Sequence, residues 1–171
     1  MPELPEVETI VSDLNKKLNH KKITAVKSLD KKIFQLSKGD IKNIIGRGIR
    51  GVGRRAKMII IDLTDFYLIM HLKMTGQLVY QSKTLSIAGG HPIANQDKLL
   101  PNKFTRVIFK LNNKSALYFN DVRRFGWIKL LPKDEFIKFS GQLGAEPLSP
   151  DFTLKYFNKI LSPRLKISIK Q

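Results

Sequence analysis

One change of hydrophobic period constrains this chain more than any other feature. Val7, Ile10, Val11, Leu14 and Leu18 recur at helical spacing, which puts a single apolar stripe on a helix over about residues 5–20. From there the period shortens. Residues 23–26, 44–52, 58–63, 67–72, 77–80, 106–111, 116–120 and 127–131 are short β-rich runs, and turn signals such as Ser37-Lys38-Gly39-Asp40 and Asn112-Asn113 separate several of them. Helical patterning returns over 133–139 and again from Pro150-Asp151-Phe152 toward Leu161. One amphipathic helix followed by many short strands can bury its apolar faces only by layering. The expected fold is α+β: an N-terminal helix, then a β-sandwich flanked by helices, then the beginning of an all-α segment.

Punctuation divides the chain further. Residues 141–150, broken by Gly144 and Pro147, read as a linker between a first domain at 1–140 and the start of a second at 151–171. Residues 81–103, with Gly89-Gly90-His91-Pro92 and little periodicity, read as a long surface loop. At the end, Leu165, Ile167 and Ile169 alternate with polar residues and nothing follows for them to pack against, which suggests a fragment.

Charge narrows the class of partner. Lys and Arg number 31 against 14 Asp and Glu, a formal charge of +17, so the chain calls for a polyanion: nucleic acid first, an anionic membrane surface second. Asp62, Asp65 and His71 interrupt the most apolar region, 57–72, and the start Met-Pro-Glu lacks a signal-peptide pattern, so the expected location is the cytoplasm. With no cysteine, and with His20, His71 and His91 widely scattered, no metal or other cofactor is expected within these residues.

Five motifs carry chemistry. In Met1-Pro2-Glu3-Leu4-Pro5-Glu6-Val7-Glu8, proline and glutamate suit a helix start without further purpose. Loss of Met1, however, would leave Pro2 as a secondary amine beside two carboxylates. Such α-amino groups titrate near ~8, so a useful fraction is neutral and nucleophilic. Gly53-Arg54-Arg55-Ala56-Lys57 is a cationic cluster at a strand start, a place usually given to solvated charge. His71-Leu72-Lys73-Met74-Thr75-Gly76-Gln77-Leu78 ends a strand with a methionine that would ordinarily belong to the core. Asn120-Asp121-Val122-Arg123-Arg124-Phe125-Gly126-Trp127 offers two cations and a ring in one turn, and Leu143-Gly144-Ala145-Glu146-Pro147-Leu148 falls in the linker.

Taken together these motifs resemble bacterial formamidopyrimidine-DNA glycosylases of the Fpg/Nei family, over essentially the whole chain. The resemblance implies a base-excision repair glycosylase and abasic-site lyase acting on oxidised purines, 8-oxoguanine and formamidopyrimidines, through a Schiff base at Pro2 and β,δ-elimination. It implies Glu3 as general acid and base, Glu6 as support of the pocket and Lys57 as a phosphate-binding, catalysis-assisting lysine. His71 is implied near backbone phosphate, Met74 in the hole left by the extruded nucleotide, Arg123 on the orphaned cytosine, Phe125 wedged beside it and Arg124 on phosphate. The implied partner is double-stranded damaged DNA, bound by a monomer in a bacterial, nucleoid-associated setting. Family members continue through a helix-two-turn-helix domain to a four-cysteine zinc finger, so zinc belongs to that part and not to these residues. The competing expectation is a truncated, catalytically impaired DNA-binding remnant. Three departures stand out: Phe104 where histidine is common nearby, Val122 where proline is common, and Lys73 in place of a frequent glycine.

Overall fold

The computed structural model describes residues 2–91, 100–147 and 149–162. Its first element, α1 (Leu4–Leu18), starts with Pro5 in its first turn and carries Lys16 and Lys17 in its last, charges that suit the helix dipole. The five residues of the stripe, from Val7 to Leu18, are all buried. Nine strands follow among the described residues: β1 (Ile23–Ser28), β2 (Gly51–Arg55), β3 (Met58–Asp62), β4 (Phe66–His71), β5 (Gly76–Gln81), β6 (Ser86–Gly90), β7 (Thr105–Leu111), β8 (Ala116–Asp121) and β9 (Trp127–Pro132). They form two antiparallel sheets among the described residues, ordered β1-β7-β8-β5-β6 and β2-β3-β4-β9. Leu68, Met70, Ile59 and Ile61 from one sheet join Leu78, Val107, Phe109 and Phe119 from the other in one apolar cluster. α1 packs on β2 and β6, an edge strand of each sheet, and so closes one side of the sandwich. The architecture is α+β.

Three details depart from the sequence reading. Residues 38–44 form a helix, α2 (Lys38–Ile44), where a turn was expected. Ser37 and Asp40 cap it reciprocally: Asp40 N–H donates to Ser37 Oγ at 3.0 Å and Ser37 N–H to Asp40 Oδ2 at 2.8 Å. The expected run 44–52 is accordingly not one strand. Ile44 closes α2, Ile49 is buried within a loop, and pairing to β3 begins at Gly51. Residues 86–90, expected in a loop, form the edge strand β6 against β5. Gly89 marks it as loop by composition, yet the glycine is there for clearance: a Cβ at that position would lie 2.4 Å from Ile10 Cγ1 of α1. Residues 92–99 of the same expected loop lie outside the described residues, as do Leu165, Ile167 and Ile169.

Two further helices complete the described chain. α3 (Lys133–Gly141) packs on β9 and β4, with the Phe136 ring 4.7 Å from that of Tyr67. α4 (Leu154–Leu161) begins later than Pro150 because Thr153 caps it, accepting from Tyr156 N–H at 3.1 Å.

Candidate active site

Four features converge on one end of the sandwich: the start of α1, the β2–β3 turn, and the two chain crossings from one sheet to the other. Pro2 is buried immediately before α1, whereas Glu3, at the N-cap, is exposed. Glu6 turns back on the terminus, its Oε2 accepting from Glu3 N–H at 3.1 Å, so the Glu6 carboxylate fixes the backbone that presents the terminal residues. One turn later Glu8 receives Arg54 Nε at 2.7 Å, which ties the start of α1 to β2.

The Gly53–Lys57 cluster is not a strand start. Gly53, Arg54 and Arg55 lie within β2, and Ala56 and Lys57 make the tight turn to β3, with Ala56 in the left-handed region at φ +49°. That turn is braced from the segment expected to be a linker. Glu146 accepts from Arg54 Nη1 at 2.8 Å, Arg55 Nη1 at 3.0 Å and Ala56 N–H at 2.5 Å, while Arg55 Nη2 donates to the carbonyls of Leu143 and Gly144 at 3.1 and 2.7 Å. Burial alone would raise the Glu146 carboxyl, but Arg54, the Ala56 N–H and Arg55 outweigh it and hold the group down to about 2. Lys57, half-buried beside this brace, forms no ion pair with the described residues, which leaves its ammonium free for an external anion.

His71 ends β4, paired with Met58 on one side and Trp127 on the other. Its Nδ1 accepts from Lys73 N–H at 3.0 Å, so the neutral ring carries its proton on Nε2 and can donate there. Burial, then the charges of Lys73 and Lys57, lower its pKa to about 4. Near neutral pH the positive charge at this spot therefore belongs to the lysines, not to His71. Its imidazole resonances should stay flat from pH 8 to 5.5 in an NMR titration and move only near 4. Because the unfolded ring takes up its proton near 6.5, stability should fall as pH drops from that value toward 4; a midpoint near 6.5 in the folded protein would contradict this.

The remaining residues sit on the two crossings. β4 passes to β5 through 72–75, and β8 passes to β9 through 122–126; the pairs His71 with Trp127 and Gly76 with Asp121 set these corners side by side. Met74 is 40% exposed and Phe125 47% exposed, an unusual expenditure of apolar surface next to a buried core. The Arg123 guanidinium carbon stands 4.7 Å from the centre of the Phe125 ring. Beneath them Asp121, fully buried, takes Thr75 Oγ1 at 2.5 Å and Arg123 N–H at 3.1 Å on Oδ1, and Gly126 N–H at 2.7 Å on Oδ2. Gly126 must stay without a side chain, since a Cβ would meet Phe119 Cζ at 2.7 Å and Asp121 Oδ2 at 3.0 Å.

Arg124 is anchored within the protein. It has φ +59° and a bidentate grip on the buried Asp30, Nε to Oδ2 at 2.6 Å and Nη2 to Oδ1 at 3.1 Å, so two of its five N–H donors hold the turn. Lys73, where a glycine is frequent, also has a left-handed backbone, φ +50°, which explains why a glycine suits the position. Phe104 serves through its backbone: its carbonyl accepts from Asp121 N–H at 2.9 Å, and Arg106 Nε donates to Asp121 O at 2.9 Å. Sequence reasoning passed over Asp30, Thr75, Asp121 and Glu146 as working residues. Three of them stand inside the quoted motifs, which was the only signal available. Among the described residues no cluster of His, Asp and Glu has the makings of a metal site.

Known proteins share these features. The sequence profile of the formamidopyrimidine-DNA glycosylase N-terminal domain matches residues 1–128. Formamidopyrimidine-DNA glycosylase of Pelotomaculum thermopropionicum is 41% identical over 169 residues, covering 96% of this chain and 56% of the relative. That of Desulforamulus reducens is 38% identical over 170 residues, with the same coverage. Among solved structures, the Lactococcus lactis Fpg in complex with DNA containing an abasic site superposes with a TM-score of 0.76 at 28% identity, over 94% of this chain and 55% of that one. The chain thus spans a little over half the length of the relatives it matches. A profile match reaching from the terminal Pro-Glu motif through both crossings shows that the chain belongs to the formamidopyrimidine-DNA glycosylase family.

Proposed function

We propose that this chain carries the catalytic end of a DNA base-excision glycosylase with abasic-site lyase activity, acting on oxidised purines in duplex DNA. The observation that supports this reading best is the projecting element of Met74, Arg123 and Phe125: two exposed apolar side chains and a cation on one hydrogen-bonded base. Such an element suits a duplex from which one nucleotide has been swung out, because apolar wedges offset the few kcal/mol of unstacking. Lys57 and Lys73 would hold the flanking phosphates, with neutral His71 donating from Nε2.

Chemistry would begin at Pro2 once Met1 is removed. The secondary amine forms a bond to C1′ of the extruded nucleotide as the glycosidic bond breaks, its electrons leaving with the base. Opening of the sugar ring, with a proton delivered to the ring oxygen, gives an iminium that is necessarily cationic. That cation makes the C2′ proton acidic, and its removal expels the 3′ phosphate; a second elimination expels the 5′ phosphate. Glu3, exposed beside Pro2, carries the protons, and Glu6 keeps Glu3 in place through its backbone. The chemistry asks no metal or other cofactor of these residues.

A second reading, binding to DNA without turnover, draws on α4, where Leu154, Phe157, Ile160 and Leu161 are exposed and none of the helix is buried. One assay separates the two. Duplexes with and without a single 8-oxoguanine opposite cytosine are compared for binding across a salt series and for strand cleavage. Cleavage confined to the damaged strand is the expected result. Lesion-selective binding without cleavage would favour the second reading, and equal, salt-sensitive binding to both duplexes would overturn the enzyme reading.

A further inference from the structure

Thr75 lies in the β4–β5 crossing, and Asp121 is the last residue of β8, just before the β8–β9 crossing. The β4–β5 crossing closes on its own backbone, Gly76 N–H donating to the Leu72 carbonyl at 2.9 Å, whereas residues 122–126 of the β8–β9 crossing make no backbone-to-backbone hydrogen bond among the described residues. Instead Thr75 reaches across. Its hydroxyl donates to Asp121 Oδ1 at 2.5 Å and accepts from Arg123 N–H at 3.0 Å, while the same N–H also reaches Asp121 Oδ1 at 3.1 Å. The three atoms form a closed triangle, and its corners are the residue after Met74, the residue before Val122 and the backbone of Arg123. Asp121 is in turn held from behind by Phe104 and Arg106.

We propose that Thr75 and Asp121 are positioning residues, a lock between the two crossings that makes Met74 and the Arg123–Phe125 pair enter the duplex as one rigid element. The chemistry of the triangle supports this. A buried carboxylate with N–H donors on both oxygens and a hydroxyl on one is held in one plane, because any turn short of the half-turn that exchanges its equivalent oxygens leaves a donor unpaired. Fixing the Arg123 amide fixes the root of the side chain that would meet the orphaned base, at the precision such recognition needs. Arg124 on Asp30 holds the far side of the same turn. The proposal rests on the functional reading above, in which Arg123 pairs with the orphaned cytosine.

The test uses the full chain and a duplex bearing one stable abasic-site analogue, opposite cytosine or opposite adenine. Thr75→Val keeps size and charge but removes the hydroxyl. It should reduce the preference for cytosine over adenine by roughly tenfold, the worth of a hydrogen bond to a charged group, while binding to undamaged duplex and the circular dichroism spectrum stay unchanged. Thr75→Ser, which keeps the hydroxyl, should restore the preference. Asp121→Asn should lose it as well, since an amide group turns a donor toward either the Gly126 or the Arg123 N–H. A Thr75→Val chain that discriminates as well as the parent would overturn the lock alone. A parent chain with no preference at all would overturn the lock together with the reading it rests on.

Discussion

Replacing Glu146 with alanine should lower the unfolding free energy by about 3 kcal/mol near neutral pH, the low end for breaking a buried ion pair, because the Glu146 side chain is 24% exposed. The effect is large because one carboxylate serves three donors. Without it Arg54 and Arg55, each about four-fifths buried, face one another with Glu8 as their remaining carboxylate partner, and the Ala56 N–H loses its acceptor. Acid should act in the same direction. The Glu146 group is held down to about 2 when folded but titrates near 4.5 when unfolded, so its stabilising contribution is complete above 4.5 and is lost as pH falls toward 2. Denaturant titration of the parent and the Glu146→Ala chain at pH 7 and pH 3 checks both statements. The gap between the two proteins should narrow at the lower pH. A difference under about 0.5 kcal/mol at pH 7, the level of an ordinary surface substitution, would show that the brace is decorative.

The consequence extends to Lys57, next in the chain to Ala56. A turn that relies on a left-handed alanine is held in place by its surroundings, and Glu146 is the largest part of them. The position of the candidate phosphate-binding lysine therefore depends on a residue far along the chain, which accepts from Ala56 N–H across 90 positions.

That dependence explains what the sequence could and could not disclose. The stripe from Val7 to Leu18 was legible because one face of α1 is buried and the period is unambiguous. β3, buried at four of its five positions, was legible as a continuous apolar run. β6 was not, because Gly89 answers to Ile10 of α1 and Gly90 to the backbone of Gly76, and α2 was not, because a seven-residue helix offers little more than its caps. The same division runs through the candidate site. Met74, Arg123 and Phe125 stood out only through the resemblance of their motifs to the family, since alone a methionine at a strand end reads as core and an Arg-Arg-Phe turn as solvated charge around a buried ring. The residues that hold them, Thr75, Asp121 and Asp30, and Glu146, which holds the turn before Lys57, each make a contact spanning 46 to 94 positions, which no local pattern encodes.

Pro2 remains the centre of the account. It lies buried at the foot of α1, next in sequence to Glu3, whose N–H is held by the Glu6 carboxylate, and its nitrogen is nucleophilic only when no residue precedes it. Substitution by glycine is a weak probe, since a primary α-amine also condenses with an aldehyde. Blocking is the sharp one, because an amide nitrogen has no free electron pair to give. Borohydride trapping on duplex DNA carrying an abasic site should yield a covalent protein–DNA adduct with the chain from which Met1 has been removed, and peptide mapping should place the modification on Pro2. The same chain with an acetylated or extended N-terminus should give only background. An adduct of undiminished yield after blocking, or one mapped to a lysine such as Lys57, would contradict the assignment of Pro2 as the nucleophile.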